Sequence, residues 1–97
     1  MVSMVSSSKI HQVLTVRQKR LLASVIEYFQ AYGEPASSKW LTEDGGFVES
    51  SATIRTELGN LESMGYLSHL HTSGGRLPTD NGYHFYIDQC LLENSLN

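Results

Sequence analysis

Residues 50–86 read SSATIRTELGNLESMGYLSHLHTSGGRLPTDNGYHFY, and the fold turns on how this stretch divides. Ser50 and Ser51 are helix-start residues, because a serine hydroxyl at the N-cap accepts a bond from an otherwise orphaned backbone N–H. Ile54, Leu58 and Leu61 follow at i, i+4 and i+7 and share one helix face. The opposite face carries Ala52, Thr56, Gly59 and Ser63, flanked by Thr53, Arg55 and Asn60. That face is small, polar and almost free of acid, where a helix facing only solvent more often carries Glu/Lys pairs. A narrow face with one arginine suits a helix lying against something large and close, such as a DNA major groove. Gly65 is placed to end the helix in a left-handed cap. Residues 66–70 alternate enough for a short strand. Residues 72–76 read as a hairpin tip around Gly74-Gly75, and Leu77-Pro78 is a short return strand whose proline confines it to an edge or a strand end. Helix, strand, glycine tip with an arginine, strand, helix is the order of a winged helix-turn-helix, mainly α with a small β wing. Its recognition helix enters a groove and its wing touches the neighbouring backbone.

Working outward, Thr15-Val16-Arg17-Gln18 is a capping box, with Thr15 as the cap and Gln18 reaching back. The helix it opens carries Leu21, Leu22, Val25, Ile26 and Phe29 on one face, the longest apolar stripe in the chain and the expected spine of the core. Tyr28 and Tyr32 lie at its edge. Gly33 ends it and Pro35 prevents its continuation. Ser38 is the expected cap of a short second helix from Lys39 to about Asp44, which sets Lys39 in a first turn, beside free N–H groups that attract phosphate. Gly45-Gly46 forms the turn of the helix-turn-helix, and Phe47 plugs the core between the second and third helices. A last helix starts at Thr79, with Tyr83, Tyr86, Ile87, Cys90 and Leu91 on its inner face. The expected division is a loose N-terminal tail at 1–13, one domain at 14–91 and a C-terminal tail at 92–97.

The same residues carry a family resemblance. Leu14-Thr15 with Arg17-Gln18, Gly33-Glu34-Pro35, Ser50-Ser51-Ala52-Thr53-Ile54-Arg55, and Leu61-Glu62 with Gly65-Tyr66-Leu67 match it in order. So do His71-Thr72-Ser73 with Gly75-Arg76, and Pro78-Thr79-Asp80 with Gly82-Tyr83. From about Leu14 to Asp88 the chain resembles, without gaps, the N-terminal winged-helix domain of the HrcA family, the heat-inducible transcription repressors of bacteria. The resemblance implies a sequence-specific DNA-binding domain acting on an inverted-repeat operator of heat-shock or chaperone genes, in two copies. It also implies that repression is steric, through exclusion of polymerase. The family's long C-terminal half, which dimerises and responds to a chaperonin, has no counterpart in these residues, so self-association on an operator is expected to need it. Three positions depart from the family pattern: Glu49 for an apolar residue, Thr56 for asparagine and His84 for a basic residue. Each lowers positive charge or alters an atom expected to face DNA.

Ninety-seven residues with 40% hydrophobic content fit one small globular domain. One cysteine, Cys90, excludes an intrachain disulfide and fits a reducing cytoplasm. No apolar run has signal-peptide or membrane-spanning length, so no membrane partner is expected. Net charge is −3, against generic nucleic-acid binding, but it is unevenly spread. From Lys9 to Lys39 there are five basic residues against two acidic; from Trp40 onward there are two basic against eight acidic. Any binding surface is therefore a local positive patch on an acidic body, and one copy should bind weakly at physiological salt.

The expected DNA-binding residues are Lys39, Ser50, Ser51, Thr53, Arg55, Thr56, Asn60, His71, Thr72 and Arg76. Arg55 stands in the first turns of the recognition helix, where side chains reach base edges. The plainer reading makes it a solvated pair with Glu62. Arg76 belongs to the wing tip, where only backbone is near. His69, His71, His84 and Cys90 invite a metal reading, but no Cys-x-x-Cys or His-Glu-x-x-His spacing supports one, and neither metal nor cofactor is expected. Cys90 reads as a small apolar core residue and Trp40 as a packed one. No Ser/His/Asp arrangement points to an enzyme. The alternative function is a winged-helix protein–protein interaction module without DNA binding. It would show Lys39, Arg55 and Arg76 pointing apart and an exposed apolar patch containing Trp40.

Overall fold

Thr15 opens the first helix with both halves of its capping box in place. Its hydroxyl accepts from the Gln18 N–H at 3.1 Å, and the Gln18 side chain accepts from the Thr15 N–H at 3.0 Å. In the computed structural model, which describes residues 13–69 and 75–96, this starts α1 (Val16–Tyr32). There follow α2 (Ser38–Glu43), α3 (Ser51–Ser63), β1 (Leu67–His69), β2 (Arg76–Pro78) and α4 (Asp80–Leu96). The expected N-terminal tail, apart from Val13, and residues 70–74, which include most of the expected hairpin tip at 72–76, lie outside the described residues.

Three helices close on one core. Leu21, Leu22, Val25 and Ile26 of α1 meet Leu41 of α2 and Ile54, Leu58 and Leu61 of α3, all buried. Phe47 fills the α2–α3 connection as expected, and the Arg20 guanidinium lies 4.6 Å from its ring centre. The register of α3 follows from its apolar stripe: Ile54, Leu58 and Leu61 face in, while Thr56 and Ser63 face solvent. Ser50 caps α3, accepting from the Thr53 N–H at 3.2 Å. At its far end the Tyr66 N–H reaches the Leu61 carbonyl and the Gly65 N–H the Glu62 carbonyl, a Schellman pair around Gly65 at φ 89°.

β1 and β2 pair antiparallel, Ser68 opposite Leu77, and Ala36 adds a bridge on the far side of Arg76. That bridge moves the second helix start. Ala36 is held extended by two bonds to Arg76, so Ser37, not Ser38, is the first residue free to cap, and it accepts from the Trp40 N–H at 2.9 Å.

The last helix differs most from expectation. Thr79 does cap it, accepting from the Gly82 N–H at 3.0 Å while its hydroxyl donates to the Gly65 carbonyl at 2.6 Å. A Cβ on Gly82 would stand 2.2 Å from the Tyr66 carbonyl oxygen, so glycine is what lets α4 approach so closely. Tyr83, Phe85 and Tyr86 then pack on the core. Ile87 and Leu91, expected inside, are exposed, while Cys90, expected beside them, is half-buried. The helix also runs on through Leu96, past Leu91 where the domain was expected to end.

Candidate nucleic-acid interface

The outward side of α3 presents Ser51, Ala52, Arg55, Thr56, Asn60 and Ser63 to solvent, without a single acid among them. Arg55 makes no ion pair or hydrogen bond among the described residues. The plainer reading of it as a partner of Glu62 does not hold, since the partners found for Glu62 are His69 and Arg76. Ser50 and Thr53 are bonded to each other, hydroxyl to hydroxyl, at 3.1 Å, with Thr53 half-buried. Lys39 is exposed in the first turn of α2, which packs against α3.

Beneath this face lies a polar network that the expected set did not include. Glu57 is buried on the inner flank of α3, 8% exposed. Its Oε1 accepts from Gln18 Nε2 at 3.1 Å and Asn60 Nδ2 at 3.2 Å, and its Oε2 from Arg17 Nε at 3.0 Å. Burial pushes the Glu57 carboxyl up, but the bonds from Gln18, Asn60 and Arg17, with the Arg17 charge, outweigh it and hold the group below its ordinary range. Gln18 thus serves twice, closing the α1 cap with its oxygen and tying α1 to α3 with its nitrogen. Arg17 reaches on to Glu49, 3.5 Å away. A shallow depression of about 270 Å³ joins Arg17 to Ala52, Thr53, Thr56, Glu57 and Asn60. A signal for this existed in the sequence: a carboxylate beside Leu58 on an apolar stripe has to find donors, or burial is prohibitive.

The wing meets expectation less well. Arg76 was expected free on the tip. Its side chain is instead 13% exposed in the last strand pair before the turn, with Nε 3.7 Å from Glu62 Oε1. The β1–β2 register explains this: His69 stands opposite Arg76, and both turn toward Glu62 at the end of α3. His71 and Thr72 fall outside the described residues. Of the three departures from the family pattern, Thr56 and His84 are exposed, and Glu49 is half-buried in its pair with Arg17. Trp40 does not form an exposed apolar patch. It is half-buried, its ring 4.6 Å from that of Tyr28, as a packing role requires.

Among the described residues no cluster of three or more His, Cys, Asp or Glu side chains is placed to hold a metal ion, and no helix is long and apolar enough to cross a membrane.

No protein-family profile matches the chain. Individual proteins do. The heat-inducible transcription repressor HrcA of Acetivibrio thermocellus is 45% identical over 83 residues, 86% of this chain and 24% of that protein. The chain matches the N-terminal region of the HrcA repressors. HrcA of Lysinibacillus sphaericus is 40% identical over 88% of this chain and 25% of its own length. HrcA of Thermoanaerobacter sp. strain X514 is 44% identical over 84% and 23%. The chain therefore spans about a quarter of the HrcA proteins it matches. A solved structure, described as that of a hypothetical protein at 2.2 Å resolution, shares the fold with a TM-score of 0.75. It is 38% identical over 80% of this chain and 25% of its own. The winged-helix assignment thus stands on both the elements and the comparison.

Proposed function

We propose that this chain is the DNA-binding domain of a heat-inducible transcription repressor of the HrcA kind, reading an inverted-repeat operator with α3. The observation that carries this is the outer face of α3: exposed, free of acid, and bearing Arg55 with no competing partner among the described residues. Such a face places polar side chains at base edges with no carboxylate among them. Likeness to HrcA supplies the repressor role and the heat-shock setting. Two copies read the two halves of the operator, since a palindrome mirrors a two-fold pair. The surfaces that bring copies together, and any chaperonin contact, are assigned in this reading to parts of an HrcA repressor outside the quarter that this chain matches.

The test is a comparison of duplexes selected by tethered copies from a randomised inverted-repeat library with scrambled versions, at two salt concentrations. Arg55→Ala should lose about 1–3 kcal/mol on the selected duplex and narrow its advantage over the scrambled one. Equal affinity for selected and scrambled duplexes, unchanged by the substitution, would overturn the reading.

A further inference from the structure

Arg17 lies in α1, outside the recognition helix, yet its guanidinium stands at that helix's outer edge. Its side chain is 40% exposed and borders the same depression as Ala52, Thr53, Thr56 and Asn60. Two carboxylates share it, and they are not equivalent. Glu57 is buried and held by three donors, so it is the permanent partner. Glu49 makes a single contact at 3.5 Å, beyond ordinary hydrogen-bond length, and its Oε1 has no hydrogen-bond partner among the described residues. Glu49 also immediately precedes the cap Ser50, so its charge stands at the positive end of α3, where a phosphate would otherwise be favoured.

We propose that Arg17 is a further DNA-backbone contact of this domain, and that Glu49 holds its strength down by competing with phosphate for the guanidinium. The proposal rests on the DNA-binding reading above. A duplex lying along the outer side of α3 brings a phosphate toward the depression that Arg17 borders. Glu57 holds the guanidinium there through Nε, which leaves both terminal nitrogens outside its own hydrogen bond. In the free protein one of them is turned to Glu49. Phosphate has to displace that carboxylate, and the counterion release expected from one arginine is correspondingly reduced. The contact carries no base information, so it acts on every sequence alike.

The experiment measures anisotropy of a labelled mixed-sequence duplex of about 24 base pairs over a salt series starting low, where non-specific binding is strongest. The proteins are the parent chain, Glu49→Gln, Arg17→Gln, Arg17→Lys, and Glu49→Gln combined with each. Glu49→Gln should tighten binding about threefold to fivefold, the range of one partly exposed ion pair, and steepen the salt slope by up to about one unit. Arg17→Gln should abolish that gain, while Arg17→Lys, which keeps the charge, should retain part of it. Far-UV circular dichroism confirms that each variant folds, and Arg17→Lys carries the comparison if Arg17→Gln does not. An equal gain from Glu49→Gln with and without a cation at position 17 would overturn the proposal, since Glu49 would then repel the duplex directly. So would unchanged binding in Glu49→Gln. If no protein bound any duplex at low salt although all were folded, the DNA-binding reading itself would have failed.

Discussion

Glu57→Ala removes the acceptor that ties α1 to α3, and its cost follows from the three bonds lost. The largest belongs to Gln18, itself only 6% exposed, whose amide would be left unpaired in the interior. An unsatisfied buried donor costs about 1–3 kcal/mol. Arg17 is 40% exposed and recovers water and Glu49, so its lost pair counts for about 0.5–1 kcal/mol. Asn60 is exposed and loses almost nothing. The expected total is about 1.5–4 kcal/mol, out of the roughly 5–15 kcal/mol that holds a domain of this size together. In urea, where a chain this short has an m-value near 1–1.5 kcal/mol/M, the midpoint should fall by about 1–4 M. The assay is equilibrium unfolding followed by far-UV circular dichroism and by fluorescence of Trp40, the single tryptophan. Glu57→Gln keeps an acceptor for Gln18 and should cost about half as much. Glu43→Ala, at an exposed acid, should stay within about 0.5 kcal/mol of the parent. If Glu57→Ala shifted the midpoint no more than Glu43→Ala, the network would not be holding the two helices and the reasoning would be refuted.

The same carboxylate predicts a pH dependence. Its folded-state pKa lies below the unfolded value of 4.5, so its stabilisation is complete above that value and is lost as pH falls through the folded one. Unfolding free energy measured from about pH 6 to about pH 3 should therefore drop toward acid, and drop less steeply in Glu57→Gln. Two glycine substitutions should move in opposite directions in thermal melts. Gly82→Ala drives a methyl into the Tyr66 carbonyl and should cost about 1–3 kcal/mol or more, lowering Tm by several degrees despite the better helix propensity. Gly59→Ala on α3 has nothing within 4 Å of the new methyl and should stabilise by about 0.5–1 kcal/mol, and a destabilised Gly59→Ala would contradict the placement of that face.

Local chemistry was legible from the chain alone. The Thr15/Gln18 box, the Ser50 cap, the Gly65 terminator and the buried trio Ile54, Leu58 and Leu61 are all decided within a few residues of themselves. Cap bonds and helical periodicity span at most about two turns, so a linear reading contains everything that determines them. The exposed face of α3 came with that register, since burying one stripe obliges the opposite one to face out.

Every pairing across a long separation, by contrast, waits on the packed fold. Glu57 meets Gln18 and Arg17 from 39 and 40 residues away. Arg76 is drawn off the expected wing tip by Glu62, and Ala36 is pinned by Arg76, which shifts the α2 cap to Ser37. Gly82 reads as one more small residue until Tyr66 is folded against it. Charges and hydrogen-bond donors have no periodicity that names a partner, and the energy that selects one arises only when packing removes water from both. Reading the chain alone therefore sufficed for which helices form and for the buried stripe of α3, but not for α4, whose Ile87 and Leu91 face out. Which charges face outward unopposed and which are held by neighbours was decided by the packing of α1, α3 and the wing.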